Sequence, residues 1–346
     1  MKALSICFGL LFYSWFSICQ FIQTSSIDEL KSAYSGTIMW DEDNCILTFV
    51  SSGQINFPKR DHFKDIYWKV PSIVRKIIIG KEVTVVGHFH VSHTITIEGE
   101  DRKSSKVYGT PISGLLRLHN LDAGGGTVPY SAFFGSGDFE FHIRNLTSIN
   151  PIGFHFTGKN GCIIHLDSVD AIDNRGGHHN HSDGISAANG STVKNCFFSS
   201  GDDIIKVYND IYVENTTIEL IQNAVPIQFG WGNYGSGATG TFKNLKVYGN
   251  FGRRNTGNAV IDARKGYYDK NLIFDGLTID APNSYLFNFW NESANGKQGG
   301  GHANITAKNV NIKAMGFIKR SNMEADIEIC EQHFDQNTNQ TEFQCD

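Results

Sequence analysis

The chain repeats a short pattern whose clearest copy reads Val213-Glu214-Asn215-Thr216-Thr217-Ile218. Apolar and polar residues alternate, Asn215 interrupts them, and a second alternation follows. Alternation with a period of two is typical of a β-strand that buries one face. Asn tolerates left-handed backbone angles, so each copy predicts two short strands joined by a sharp corner. Further copies are Phe141-His142-Ile143-Arg144-Asn145-Leu146, Val193-Lys194-Asn195-Cys196-Phe197-Phe198, Phe242-Lys243-Asn244-Leu245-Lys246-Val247, Ile273-Phe274-Asp275-Gly276-Leu277-Thr278-Ile279 and Ala307-Lys308-Asn309-Val310-Asn311-Ile312.

The copies recur at intervals of about 20 to 34 residues, a period that indicates a coiled solenoid whose turns stack on one another. Inward β-branched and aromatic residues would then stack from coil to coil into one continuous core. A β-sandwich would instead need Asn-Gly hairpin turns between most neighbouring strands, and few occur at such places. The predicted fold is therefore all-β, a right-handed parallel β-helix.

Composition agrees with a protein rich in turns. The 346 residues include 36 Gly and only 7 Pro, and the formal net charge is −5. That charge gives no reason to expect a nucleic acid or an anionic membrane surface as partner. The length suffices for one elongated domain with a sizeable core.

The N-terminus predicts a secretory signal over residues 1–19. Lys2 provides the positive start, Ala3 to Phe16 provide the apolar stretch, and the first acidic residue is Asp28. We expect a secreted, extracellular monomer without a membrane anchor after cleavage, and Asn-x-Ser/Thr sites such as Asn189 agree with a glycoprotein. The remaining predicted parts are an N-terminal cap (20–76), the β-helix (77–325) and a C-terminal cap or tail (326–346). Of the five mature cysteines, Cys330 and Cys345 are plausible disulfide partners, although other pairings fit the spacing.

Three aspartates carry the predicted chemistry. His181-Ser182-Asp183-Gly184 is followed, about one coil later, by Gly201-Asp202-Asp203-Ile204-Ile205-Lys206. Residues one coil apart stack on neighbouring strands at roughly 5 Å, so Asp183 is predicted beside the Asp202–Asp203 pair. Paired carboxylates hydrolyse glycosidic bonds, one as acid and one as base. Strict alternation cannot place Asp202, Asp203 and Lys206 on one face, so a bulge near the pair would be needed.

These two clusters, the following Val207-Tyr208, and Asn223-Ala224-Val225-Pro226-Ile227-Gln228-Phe229-Gly230-Trp231 resemble glycoside hydrolase family 49. That family contains dextranases and isopullulanases on a pectin lyase-like β-helix and is related to the polygalacturonases of family 28. The resemblance runs from about Val83 to Ala314 and is strongest between Asp183 and Trp231. It implies an inverting hydrolase of α-glucan, such as dextran, with a polysaccharide as its partner.

The resemblance also implies roles for individual residues. Asp202 would be the general acid, and Asp183 and Asp203 would position and activate the water. The substrate-binding residues would be Lys206, Gln228, Trp231, Asn223 and Tyr208. No metal or other cofactor is expected, since the Gly-flanked run His178, His179 and His181 offers little rigidity for zinc.

Three alternatives stay open. Polygalacturonases share the Asp clusters but carry Gly-His-Gly and Arg-Ile-Lys, which are missing here. A polysaccharide lyase would use the acids for calcium and Lys206 as base. A carbohydrate-binding protein could keep the scaffold without turnover. Family 49 enzymes also carry a β-sandwich before the β-helix, and the roughly fifty residues before the repeats cannot form one.

Overall fold

The computed structural model describes residues 26–57, 66–112, 130–176, 182–221, 224–229, 237–250, 259–263, 267–289, 300–321, 324–329 and 332–334. Within these ranges the chain forms one α-helix and 28 β-strands. None of the described helical residues form a segment long and apolar enough to span a bilayer. Cys45, Cys162 and Cys196 are free thiols, whereas the suggested Cys330–Cys345 pair lies outside the described residues.

The elements follow one another in a regular order. The first are α1 Ile27–Ala33, β1 Ile38–Asp41, β2 Ile46–Phe49, β3 Gly53–Gln54, β4 Tyr67–Lys69, β5 Lys76–Ile79, β6 Thr84–Val86, β7 His88–Val91, β8 Ile95–Gly99 and β9 Lys106–Tyr108. The middle ones are β10 Phe133–Ser136, β11 Glu140–Arg144, β12 Thr147–Ile149, β13 Phe156–Lys159, β14 Ile163–Asp167, β15 Asp170–Ile172, β16 Ile185–Ser186, β17 Ser191–Lys194, β18 Phe197–Ser199 and β19 Ile205–Lys206. The last are β20 Ile211–Glu214, β21 Thr217–Leu220, β22 Ile227–Gln228, β23 Ala238–Gly249, β24 Ala259–Asp262, β25 Tyr267–Phe289, β26 Gly300–Ser321, β27 Glu324–Ile329 and β28 Gln332–Phe334.

The strands stack into three parallel sheets, because each strand pairs with the strand about one coil later. Sheet I contains β4, β7, β10, β13, β16, β19, β22 and β24. Sheet II contains β2, β5, β8, β11, β14, β17 and β20. Sheet III contains β3, β6, β9, β12, β15, β18 and β21. The long strands β23, β25 and β26 continue these sheets around their corners. The prediction of an all-β parallel β-helix is confirmed.

The predicted corner residues lie between sheets II and III. Five of them have left-handed φ values, 53° at Asn145, 54° at Asn195, 48° at Asn215, 52° at Asn244 and 56° at Asn309. In the copy that contains Asp275, the prediction is wrong by one residue, because the left-handed corner is Gly276 (φ 82°), where glycine has no Cβ to clash. Their side chains also form a ladder, in which Asn244 donates to Asn215 (3.0 Å) and Asn215 to Asn195 (3.3 Å). Asn therefore has two roles at this corner: its backbone accepts left-handed angles, and its side-chain amide hydrogen-bonds to the Asn of the neighbouring coil.

The core lies inside the coils and consists of residues that stack in register. Phe89, Phe133 and Phe156 occupy one column of sheet I, with ring centroids 5.9 and 5.4 Å apart. All three rings are completely buried. Because each coil adds apolar residues to the same columns, burial extends along the whole solenoid and stabilises it by the hydrophobic effect.

The stack of coils is longer at both ends than the predicted boundaries. Ile46–Phe49 lies inside the predicted cap, yet it already pairs in parallel with Lys76–Ile79. At the other end, Glu324–Ile329 and Gln332–Phe334 pair with β26. The repeat pattern does not predict this first coil, because no Asn or Asp corner follows the alternation Ile46-Leu47-Thr48-Phe49.

A helix and an antiparallel strand precede the first coil. In α1, Ser26 accepts from the Glu29 amide and the Glu29 carboxylate accepts from the Ser26 amide, which is a capping box. Leu30 of this helix is completely buried against the core. Strand β1 pairs antiparallel with β2. Because β2 is the first strand of sheet II, β1 covers an edge that could otherwise pair with another chain.

Candidate active site

Asp183 and Asp203 occupy equivalent positions on neighbouring coils of sheet I. Asp183 lies two residues before Ile185, Asp203 lies two residues before Ile205, and these two isoleucines are paired in register. The Gly184 amide donates to the Asp203 carbonyl at 2.9 Å. Asp183 and Asp203 are each only 4% exposed.

Gly184 permits the close approach of these two coils. A Cβ atom at this position would lie 2.4 Å from the carbonyl oxygen of Ile204, a distance that no side chain can accommodate. Glycine is therefore required directly after Asp183 because the neighbouring backbone passes against it. The Asp-Gly dipeptide thus has a steric cause in addition to its use in turns.

The backbone around the Asp pair breaks the strand alternation, as the sequence required. Ile204 and Ile205 are adjacent, yet both are completely buried in the core. Residues 201–204 lie between β18 and β19 and are not part of a strand, with a bend at residues 201–202. After this bend, Asp203 accepts a hydrogen bond from Gln228, the partner of Lys206 in the parallel ladder. Asp202 is 7% exposed, and its Oδ1 accepts from the Asp203 amide at 3.0 Å.

Lys206 forms a buried ion pair with Asp183, through Nζ and Oδ2. The same ammonium lies 4.4 Å from the centre of the Phe154 ring. Burial alone would lower the pKa of Lys206, but the charges of Asp183, Tyr208 and Asp203 outweigh it and raise the pKa above its ordinary value. Lys206 is therefore a permanent cation beside Asp183 and not a solvated strand residue.

Gln228 and Tyr208 orient the second carboxylate. Gln228 lies beside Lys206 in the next strand, and its Nε2 donates to Asp203 Oδ2 at 2.5 Å. The Tyr208 hydroxyl donates to Gln228 Oε1 at 3.1 Å. Gln228 is fully buried, so its described contacts are with the carboxylate and the phenol. The resemblance to family 49 implies substrate contacts for both residues, and that role stays a prediction.

Sheet I continues this polar row with two residues that the sequence reasoning missed. Asp262 pairs in register with Gln228, and Asn288 pairs with Asp262. The Asn288 amide donates to Asp262 Oδ2 at 3.0 Å, and both side chains are buried. For Asp262 the sequence contained a signal, because this residue directly follows the apolar run Ala259-Val260-Ile261, which is typical of a buried strand. Asn288 carried none, since its alignment depends on the length of the intervening coil.

Several predicted residues lie outside the described part of the chain. These are Asn223 and Trp231, for which the resemblance to family 49 implies substrate binding, and the histidine run His178, His179 and His181. The described network therefore comprises Asp183, Asp202, Asp203, Lys206, Tyr208 and Gln228. It supplies three carboxylates on two successive coils, one cation and two hydrogen-bonding groups, which suffices for acid–base chemistry.

The fold and the local sequence are similar to those of known dextranases. The solved structure of Dex49A from Penicillium minioluteum superposes with a TM-score of 0.56 at 13% identity, over 87% of this chain and 56% of that one. The chain shares the fold of Dex49A. Over 50 residues, the sequence is 46% identical to a dextranase of Arthrobacter sp. (strain CB-8) and 42% identical to one of Arthrobacter globiformis. No family model matches.

These similarities cover different shares of the proteins compared. The 50 matched residues are 14% of this chain and 8% of each curated dextranase, and the chain spans little more than half of Dex49A. The structural likeness supports the resemblance to family 49 that the Asp clusters indicated. At this level of identity it shows a common fold, and the activity remains to be argued from the site.

Proposed function

We propose that the protein is a glycoside hydrolase that cleaves the O-glycosidic bonds of a polysaccharide with inversion of configuration. In this proposal Asp202 protonates the leaving oxygen as the general acid. Asp183 and Asp203, one coil apart, hold and deprotonate the attacking water. An α-glucan similar to dextran is the proposed substrate, since the curated proteins with local similarity are dextranases.

One observation carries this proposal, namely the different surroundings of the three carboxylates. Lys206 keeps Asp183 ionised, and Gln228 holds an oxygen of Asp203 at 2.5 Å. Both are suited to the base role, because a base must be ionised and aimed. Asp202 instead accepts a hydrogen bond from the Asp203 amide. Carboxylates in different environments divide acid and base roles in many glycosidases.

The remaining parts of the proposal concern the whole protein. We propose that it is secreted after removal of residues 1–19, that it is glycosylated, and that it acts outside the cell as a monomer without a cofactor. A secreted hydrolase of polymers fits the N-terminal sequence and the abundance of Asn-x-Ser/Thr sites.

The test is release of reducing sugar from dextran, pullulan, polygalacturonate and starch by the purified protein. The Asp202→Asn variant should lose roughly 10²–10⁴-fold of the activity while keeping its thermal midpoint, because only the general acid is removed. Asp280→Asn is the matched control, since it makes the same chemical change at a solvent-exposed ion pair of sheet III. It should retain full activity.

The product and its chelator response separate the alternatives. An inverting hydrolase gives the opposite anomer, visible by proton NMR within minutes of mixing. Cleavage of polygalacturonate alone would move the substrate to the pectin class. A product absorbing in the ultraviolet, lost with a calcium chelator, would show a lyase. If no polymer is cleaved but one is bound, the hydrolase proposal is wrong and a carbohydrate-binding protein replaces it.

A further inference from the structure

A second group of chemically active side chains lies on sheet II, whereas the residues of the proposed hydrolase site lie on or next to sheet I. Glu140 and His142 project from β11, and His165 projects from β14 on the next coil. One ligand atom from each residue lies within 4.8 Å of the other two. Among the described residues, this is the one place where three or more His, Cys, Asp or Glu side chains bring their ligand atoms this close together.

The solenoid itself sets the geometry. His142 and His165 are direct partners in the parallel ladder, so their rings stack with centroids 4.8 Å apart and planes inclined by 19°. Glu140 lies two residues before His142 on the same face of the strand. Its Oε2 is 3.1 Å from His142 Nε2 and 4.0 Å from His165 Nε2. Both imidazoles thus present Nε2 to one carboxylate oxygen.

The other nitrogen of His165 is already engaged. Its Nδ1 lies 2.9 Å from Thr192 Oγ1, the residue that follows it in the ladder on β17. A proton on Nδ1 donated to that hydroxyl leaves the Nε2 lone pair directed towards Glu140. Histidines that bind metals commonly have this arrangement, in which a partner at one nitrogen fixes the tautomer of the other.

The three side chains are accessible, with 56% exposure for Glu140, 38% for His142 and 27% for His165. An ion can therefore reach them, and the side chains can close around it.

We propose that Glu140, His142 and His165 form a binding site for a divalent transition metal ion of the Zn²⁺ class. Two imidazole nitrogens and one carboxylate oxygen match the ligand preference of Zn²⁺, whose Zn–N distances are about 2.0–2.1 Å. Shifts of roughly 1 Å in the exposed side chains would bring the three donors to that distance. Solvent completes the coordination. The ion would link two consecutive coils and so stabilise the solenoid.

The test is a Zn²⁺ titration of the chelator-treated, tag-free protein by calorimetry, together with its thermal midpoint with and without Zn²⁺. We expect one saturable ion per chain and a midpoint that rises with Zn²⁺. His165→Ala should abolish both effects. Thr192→Val leaves every ligand in place and should weaken binding roughly 10- to 100-fold, as expected for a residue that only orients a ligand.

Two controls separate this site from other donors. His302→Ala removes a surface histidine that faces one carboxylate, Asp326, at 3.0 Å, and it should leave Zn²⁺ binding unchanged. Replacing His178, His179 and His181 together by Ala should also leave it unchanged. Bound Co²⁺ should show visible absorption without a thiolate charge-transfer band, since no cysteine takes part. Equal Zn²⁺ affinity in His165→Ala and the parent, or the lack of saturable binding, would overturn the proposal.

Discussion

Removal of the Lys206 ammonium is the perturbation that tests the site geometry most directly. Lys206→Met keeps the length and apolar stem of the side chain but leaves the Asp183 carboxylate buried without its cation. Removing one partner of a buried ion pair costs about 3–5 kcal/mol, because the remaining charge stays out of water. Loss of the contact with the Phe154 ring at 4.4 Å adds about 0.5–2 kcal/mol.

These energies convert into a measurable shift of the thermal midpoint. A chain of 346 residues that unfolds as one unit gains roughly 0.7 kcal/mol of entropic free energy per degree at its midpoint. The ion-pair loss of 3–5 kcal/mol therefore predicts a midpoint lower by about 4–7 °C. Calorimetry of the parent and Lys206→Met at pH 7 measures this shift, and urea unfolding gives the free energy independently.

The matched control is the double variant Asp183→Asn/Lys206→Met, which removes both charges. It should recover a large part of the lost stability, since a buried pair of neutral side chains has no unpaired charge. The loss of stability in Lys206→Met should also become smaller as the pH falls, because protonation of Asp183 removes its unpaired negative charge. A single variant less than 1 °C below the parent, or a double variant less stable than the single one, would refute the buried ion pair.

Two further predictions concern the fold. Asn215→Ala should destabilise the protein by about 1 kcal/mol more than Asn215→Gly in urea unfolding, because only glycine accepts the φ of 48° without strain; equal losses would contradict this. Burial, with smaller contributions from His90, His155 and Arg175, holds the pKa of His88 well below its ordinary value. Below pH 6.5, His88 of the unfolded chain binds a proton that His88 of the folded chain does not, so the free energy of unfolding decreases as the pH is lowered. Between pH 7 and pH 5 the parent should lose about 2 kcal/mol more than His88→Asn, and equal losses would exclude the buried neutral histidine.

The fold could be predicted from the sequence because the main determinants of the fold are local. A left-handed corner residue between two alternations is visible within six residues, and Asn195, Asn215 and Asn244 all occupy that corner. The same locality predicted that Asp183 would lie one coil from Asp202 and Asp203, since the intervening coil is short. The ends of the solenoid were harder to predict, because the strand Ile46–Phe49 is not followed by an Asn or Asp corner.

The side-chain partners were not accessible in the same way. Alternation alone would place Lys206 and Asp203 on opposite faces of the strand. The contact of Lys206 with Asp183 therefore depends on the backbone between residues 201 and 204, which departs from a strand. The alignment of Asp262 and Asn288 depends on coil lengths that vary, as does the meeting of His142 with His165. Such contacts are fixed by the register between coils, which is a long-range property.

Sheet II shows how the sequence itself restrains that register. On its outer face, one row has a charged residue in each of eight successive coils, with the sign alternating at every step: Glu98, Arg144, Asp167, Lys194, Glu214, Lys243, Asp275 and Lys308. Some pairs are in contact, such as Arg144 with Glu98 at 2.6 Å, and others are looser, such as Lys243 with Glu214 at 3.9 Å. Exposed pairs add little stability one by one. A coil that skipped its neighbour, however, would place like charges side by side, which is unfavourable in a ladder. The row therefore penalises skipped coils, which the similar strand patterns alone would permit, and it keeps Asp183 and Asp203 on adjacent turns.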